Sequence, residues 1–135
     1  SQLVAEQMVA QGDGGSIINN SSTGGLVGFP GMAGYGMSKA GVAQLARSLA
    51  NDLKEYGIRV NALAPGAIDT PMPHKYLEKF ADQKEEILQM INDSHLSGRM
   101  GRPEEVVYLA LFLASDEASF MNGAVVPVDG GYTAV

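Results

Sequence analysis

The chain has 135 residues, with 15 acidic against 9 Lys and Arg for a formal charge of −6, 45% apolar residues, 17 glycines, and neither cysteine nor tryptophan. That is the composition of a globular domain with a single core, and no apolar run approaches the roughly 18 residues that a membrane span needs. The lack of cysteine removes disulfides, thiolate metal sites and a thiol nucleophile and fits a reducing, cytoplasmic setting; the acidic balance argues against a nucleic acid partner, whose phosphates need clustered Lys and Arg.

Apolar residues at 3, 4, 5, 8, 9 and 10 give the opening segment Ser1 to Gln11 a helical spacing with a broad apolar face. No cap or leader stands before it, and a basic region and cleavage site are both missing, so it is not read as a signal peptide. It reads as the last turns of a helix begun upstream or as the edge of a domain, and the residues leave both open. Gly12-Asp-Gly-Gly15 stops it, and Ser16-Ile-Ile-Asn-Asn20 predicts a short buried strand. Residues 21 to 33 are small, glycine-rich and read as a loop. A helical pattern then runs from about Gly34 to Tyr56, with Tyr35, Val42, Leu45, Ala46, Leu49 and Leu53 near one stripe, and Gly57 stops it.

Ile58 to Leu63 predicts a second strand, ended by Ala64-Pro65-Gly66. Residues 67 to 82 read as irregular, then weakly helical, and Lys84 to Asn92 as a helix. After a break at Gly98 to Pro103, proline and two acids open a helix to about Ser115. Val106, Val107, Leu109, Ala110, Leu113 and Ala114 are its expected buried residues. Ala124 to Val128 predicts a third strand, closed by Asp129-Gly-Gly131. Alternating strands and helices imply an α/β fold with a parallel sheet, and about three strands make a thin one.

Two features could carry chemistry. Thr23-Gly-Gly-Leu-Val-Gly28 follows a strand as a nucleotide loop would, but Pro30 stands where a third glycine belongs and the next helix starts too late to hold a phosphate, so it reads as a structural loop. Tyr35-Gly-Met-Ser-Lys39 places a phenol and an ammonium on one helix face, about 6 Å apart along the axis. A phenol titrates near pH 10, and a nearby positive charge favours its ionised form and makes it useful for proton transfer. The same spacing occurs by chance on many surface helices; here Ser21-Ser22 precedes it and small residues surround it. His74 and His95 lack a ligand set at metal spacing and read as solvated loop histidines, so no metal site is expected.

Gly15-Ser-Ile-Ile-Asn-Asn-Ser-Ser22 followed by Tyr35-Gly-Met-Ser-Lys39 resembles the active-site stretch of the short-chain dehydrogenase/reductase family. Ile58 to Gly66 with Ile68-Asp-Thr70 is similar to that family's sixth strand and nicotinamide loop. Gly98 to Glu105, Phe112 to Asp116, and Asn122-Gly through Asp129-Gly-Gly131 resemble its C-terminal signature. The resemblance covers essentially the whole chain. It implies that Tyr35 is the acid–base residue, that Ser22 hydrogen-bonds the substrate oxygen, and that Lys39 lowers the tyrosine pKa and holds the nicotinamide ribose. Pro65, Gly66, Ile68 and Thr70 would line the nicotinamide, with the Ile68 backbone at its carboxamide. Ser21 could replace Ser22 by a shift of register, but the spacing favours Ser22.

The family's fold is a doubly wound, Rossmann-like sheet of seven strands, with its dinucleotide loop on the first. The resemblance therefore implies that residues 1–135 are one partial domain, the C-terminal half, starting within the helix before the fifth strand. The dinucleotide loop, the residue that chooses NAD or NADP and the catalytic asparagine would all lie in the N-terminal half, absent from this chain. Two functions are expected from this. One is the C-terminal portion of an NAD- or NADP-dependent enzyme interconverting a small-molecule secondary alcohol and ketone; the other is a catalytically silent half-domain. With a bare strand edge at Ser16 to Asn20, either implies a homo-oligomer or a complementary N-terminal fragment, and the isolated chain is expected to bind NAD(P)H poorly. No membrane partner is expected.

Overall fold

The computed structural model describes residues 1–134. In chain order it contains α1 (Gln2–Gln11), β1 (Gly15–Asn20), α2 (Ala33–Asp52), β2 (Ile58–Pro65), α3 (Pro71–Glu78), α4 (Lys84–Asp93), α5 (Pro103–Ala114) and β3 (Val125–Val128). The strands form one parallel sheet in the order β1-β2-β3, with Ile17 opposite Val60, Asn20 opposite Leu63, and Pro65 opposite Val128. Helices cover both faces of it.

β2 is the central strand, and its side chains divide by the two-residue period of a strand. Ile58, Val60 and Ala62 face α1 and α2, forming a core with Ala5, Ile17, Ala46, Ala50 and Leu53. Leu63 faces the other way, onto Leu113 and Ala118, with Ile18, Val106 and Leu109 packed around them. Burial on both faces is why this strand reads as a nearly continuous apolar run.

Two polar residues interrupt that run, and both serve as ties. The Arg59 guanidinium donates to the carbonyls of Leu113 at 3.1 Å and Ser115 at 3.0 Å, satisfying the open C-terminal end of α5. Asn61 is fully buried; its Nδ2 donates to the Met121 carbonyl and its Oδ1 accepts from the Ala124 N–H, each at 2.9 Å. Asn122 Oδ1 in turn accepts from the Val60 N–H at 2.8 Å. These bonds set the approach of β3 to β2.

Four expectations from the sequence need correction. The second helix ends at Asp52, not Tyr56, because the chain tightens into a 3-10 turn at Lys54–Tyr56 and reverses through Gly57 at φ 68°. That reversal brings the Gly57 carbonyl onto the Gly15 N–H, 3.2 Å away. The buried stripe of α2 is Ala43, Ala46 and Ala50, with Leu45 exposed, since alanines let the helix lie close on the sheet. In α5 only Leu113 is fully buried; Val107 and Ala114 are exposed, because this helix is apolar on nearly every side and the sheet covers one. The segment expected to be irregular contains α3, whose Pro71 and Pro73 sit in the first turn, where a helix needs no N–H.

The outer edge of β1 pairs with no strand among the described residues, and Asn19 Nδ2 beside it is buried without a hydrogen-bond partner. Asn61→Ala should lower stability by about 1–3 kcal/mol, since it strands the Met121 carbonyl and the Ala124 N–H away from water. The denaturant midpoint measures this, and an unchanged midpoint would mean that water replaces the amide.

Candidate functional site

A parallel sheet directs all its strands the same way, so their C-terminal ends share one rim. Ser21, Gly66 and Lys39 are tied to the strand ends there. The ladder continues past the strands on both sides of β2: the Ser21 N–H donates to the Leu63 carbonyl at 2.8 Å, and the Gly66 N–H to the Val128 carbonyl at 3.2 Å. Ser22 and the Pro65–Thr70 segment are therefore set by one framework.

After Ser21 the chain makes a 3-10 turn, Thr23–Gly25, capped by Ser22, whose Oγ accepts from the Gly24 N–H at 3.1 Å. This turn lies directly against α2. A Cβ on Gly25 would fall 2.6–2.8 Å from backbone atoms of Lys39 and Ala40, and one on Gly24 would fall 3.0 Å from Cε1 of Tyr35. These two glycines permit close packing of the Ser22 turn on the Tyr35 helix, and the reading of Thr23–Gly28 as a structural loop agrees with that contact.

Tyr35 is half-buried, and Lys39 Nζ lies 5.8 Å from its ring centroid. The ammonium donates to the Asn20 carbonyl at 3.0 Å and has no carboxylate partner among the described residues, so two of its three hydrogens remain free. Ser21 and Ser22 are separated in role by their hydroxyls. Ser21 Oγ donates to the Lys39 carbonyl at 2.7 Å and is committed to holding α2. Ser22 Oγ accepts from Gly24 and keeps its own hydrogen to donate.

Ile68 sits in an isolated parallel bridge with Gly101. The Gly101 N–H donates to the Ala67 carbonyl at 2.9 Å, and the Asp69 N–H donates to the Gly101 carbonyl at 2.8 Å. In a planar trans peptide the C=O and N–H point in opposite directions. Tying down the Ala67 carbonyl and the Asp69 N–H thus aims the N–H and C=O of Ile68 the other way. The Ile68 N–H has no partner among the described residues, and its carbonyl accepts only from Thr70 Oγ1 at 3.3 Å. One residue offers a donor and an acceptor side by side, the complement of a primary carboxamide. The free hydrogens on Lys39 likewise suit a pair of ribose hydroxyls. The nicotinamide riboside half of NAD(P) therefore fits what the chain presents.

Gly101 is held by what surrounds it. Glu105 accepts from Arg99 through both carboxylate oxygens, at 2.9 and 2.7 Å, and from the Arg102 N–H at 2.7 Å at the start of α5. The Arg99 hydrogen bonds, with that N–H, lower its pKa to about 2. Across from it, burial pushes the Asp129 carboxyl up, but hydrogen bonds from the Thr133 hydroxyl and N–H and the Gly131 N–H outweigh this and leave it below its usual value.

The two histidines differ from each other and from expectation. His74 lies on α3 and not in a loop, half-buried, and pairs with Asp69 at 2.6 Å. His95 is no solvated loop residue: it is 5% exposed, with Nδ1 2.7 Å from the Ile91 carbonyl and Nε2 3.2 Å from the Ala67 nitrogen. It was missed because a single histidine in a short turn has no periodic signature. Ile68's open backbone groups leave no trace in side-chain identity either. Among the described residues no three His, Asp or Glu side chains gather at metal distance, and no helix is long and apolar enough to cross a membrane.

Comparison with known proteins gives consistent matches. The family model described as enoyl-(acyl carrier protein) reductase matches residues 1–133. The chain is 46% identical to 3-oxoacyl-(acyl-carrier-protein) reductase of Thermotoga maritima, over 97% of this chain and 50% of that protein. It is 41% identical to (3R)-3-hydroxyacyl-CoA dehydrogenase of Rattus norvegicus, over 97% of this chain and 48% of that one. Among solved structures, levodione reductase superposes with a TM-score of 0.88 at 38% identity, covering 95% of this chain and 50% of that one. The chain thus spans about half the length of the relatives it matches.

Glu105→Gln should reduce thermal stability at neutral pH, and the deficit should fade in acid. The folded pKa lies below the unfolded value of about 4.3, so the ionised carboxylate stabilises the fold above that pH and the benefit is lost as pH falls toward about 2. Melting temperatures of both proteins between pH 7 and 2 should converge at the acid end; a constant gap would point to lost packing instead.

Proposed function

The chain belongs to the short-chain dehydrogenase/reductase family, and on that premise we propose that the protein carrying it is an NAD(P)-dependent oxidoreductase interconverting a secondary alcohol and a ketone. The observation that carries this reading is the packing of the Ser22 turn on the Tyr35–Lys39 helix face, beside a loop whose Ile68 presents an open donor and acceptor. The names of the two relatives quoted, a 3-oxoacyl reductase and a 3-hydroxyacyl dehydrogenase, describe the two directions of such a reaction.

When bound, NAD(P) supplies or accepts the hydride. The residues of this chain manage the proton and the positions. In the reductive direction the Tyr35 hydroxyl gives its proton to the substrate oxygen as negative charge develops there; in the oxidative direction it takes that proton back. Ser22, with its hydrogen free, donates to the same oxygen and fixes its position. Lys39 places positive charge 5.8 Å from the centre of the Tyr35 ring, and its free hydrogens would hold ribose hydroxyls. Pro65, Gly66, Ile68 and Thr70 line the nicotinamide, with the Ile68 N–H and carbonyl on the carboxamide. The pyrophosphate falls to other parts of the protein, since Gly24 and Gly25 are taken up by contact with α2. The substrate would lie under residues 71–97, where Met72, Tyr76, Phe80 and Met90 present exposed apolar surface.

In the full-length protein, assayed with a panel of 3-oxo esters and cyclic ketones and either reduced cofactor, Tyr35→Phe should lower kcat by about 10²–10⁴-fold. Cofactor affinity should hardly change, because the ring remains. A variant that keeps a third or more of the wild-type rate would remove Tyr35 from the acid–base role. Lys39→Ala should weaken both turnover and NAD(P)H binding; loss of turnover alone would count against its contact with the ribose.

A further inference from the structure

His95 is a buried titratable side chain with no part in the proton transfer above, yet it touches three segments around the site. Its Nδ1 lies 2.7 Å from the Ile91 carbonyl, which can only accept, so Nδ1 carries the hydrogen. The Ala67 N–H then donates to the bare Nε2 at 3.2 Å. The ring packs on Tyr132 with centroids 5.2 Å apart, and Tyr132 stacks on Phe29, in the loop between Ser22 and α2, at 5.3 Å. A Cβ on Gly66 would lie 2.9 Å from Nε2, so the loop comes this close because residue 66 has no side chain.

The Pro65–Asp69 segment is strapped at four points. The Gly66 N–H goes to Val128, and the Ala67 carbonyl and Asp69 N–H go to Gly101; all three are backbone-to-backbone bonds. The fourth, from the Ala67 N–H to His95, is made by a side chain from a distant part of the chain, just past the C-terminal end of α4. It fixes the Gly66–Ala67 peptide and hence the direction in which the following peptide leaves, and that peptide bears the Ile68 N–H.

We infer that His95 is a positioning residue for the cofactor: through the Ala67 N–H it holds the Ile68 backbone at the angle that meets the nicotinamide carboxamide, and it joins that loop to α4. This rests on the reading of Pro65–Thr70 as the nicotinamide loop. A role in packing alone would need neither ring nitrogen in particular.

Two variants separate the nitrogens. The amide of Asn reaches about as far as Nδ1, so His95→Asn keeps the donor to Ile91 and drops the acceptor. The amide of Gln reaches about as far as Nε2, so His95→Gln keeps the acceptor for Ala67. In the full-length protein, His95→Asn should speed hydrogen–deuterium exchange at the Ala67 amide and weaken NADH and NADPH binding, read by fluorescence titration, by about tenfold, the worth of one hydrogen bond. His95→Gln should stay within about threefold of wild type in both readouts. Melting temperatures are taken alongside. If affinity falls equally in both variants, or follows melting temperature whichever nitrogen is kept, the inference is overturned. So it is if exchange speeds up in His95→Asn with affinity unchanged. Ile68→Pro, which removes the open N–H and breaks no bond within the chain, marks where a failure lies. Weakened binding in Ile68→Pro with no effect in His95→Asn refutes the positioning role alone; no effect in either refutes the nicotinamide-loop reading and the inference with it.

Discussion

The ladder of β2 is the constraint from which the site descends. It is the strand paired on both edges, and its hydrogen bonds run on past the regular structure into Ser21 on one side and Gly66 on the other. Its side chains extend the same control. Arg59 fastens the C-terminal end of α5, and Asn61 and Asn122 fasten β3. With α5 fixed, the Gly101 stretch at its N-terminal side is fixed too, and Gly101 in turn orients the peptides around Ile68. A polar interruption in an otherwise apolar strand thus governs backbone groups at the far side of the rim. The desolvation of Arg59 and Asn61 is offset because their hydrogen bonds are taken up by carbonyls and N–H groups that would otherwise be buried unpaired.

Much of this was legible from the residues. Apolar runs of strand length bounded by turn formers located all three strands, helical spacing located α1 and α2, the proline and two acids located the start of α5, and Lys84 to Asn92 was read as a helix. The Tyr35–Lys39 spacing marked the helix face on which both now lie. What escaped has common physical causes. Periodicity reveals that a helix has an apolar side, but α5 is apolar almost all round, and only the position of the sheet decides that Leu113 goes in while Val107 and Ala114 stay out. The end of α2 is set by the meeting of Gly57 with Gly14 and Gly15, a contact between residues over forty positions apart. Ser21 and Ser22 are the same residue type; the Lys39 carbonyl under the first and the Gly24 N–H on the second separate them in the fold.

The glycines of Thr23–Gly28 illustrate the limit of motif reading more generally. Gly28 has open space around it, whereas Gly24 and Gly25 let something come close to the main chain, and the identity of that neighbour is a matter of the fold. In a dinucleotide loop it would be a pyrophosphate. Here it is the backbone of α2 at Lys39 and Ala40, and the ring of Tyr35. The two cases look alike in the first few letters and differ in where the next helix begins, which is why the late start of α2 was informative.

The bridge between Ile68 and Gly101 also bears on how this region tolerates change over generations. Its donor and acceptor belong to the main chain, so any residue at 68 that keeps an N–H and fits against Gly101 presents the same pair. Gly66 has no such latitude, since a Cβ there would fall 2.9 Å from both the Asp129 Cα and the His95 ring. Lineages can therefore diverge in letters along this loop while its shape is inherited intact, and the fixed points to look for among descendants are the positions without side chains.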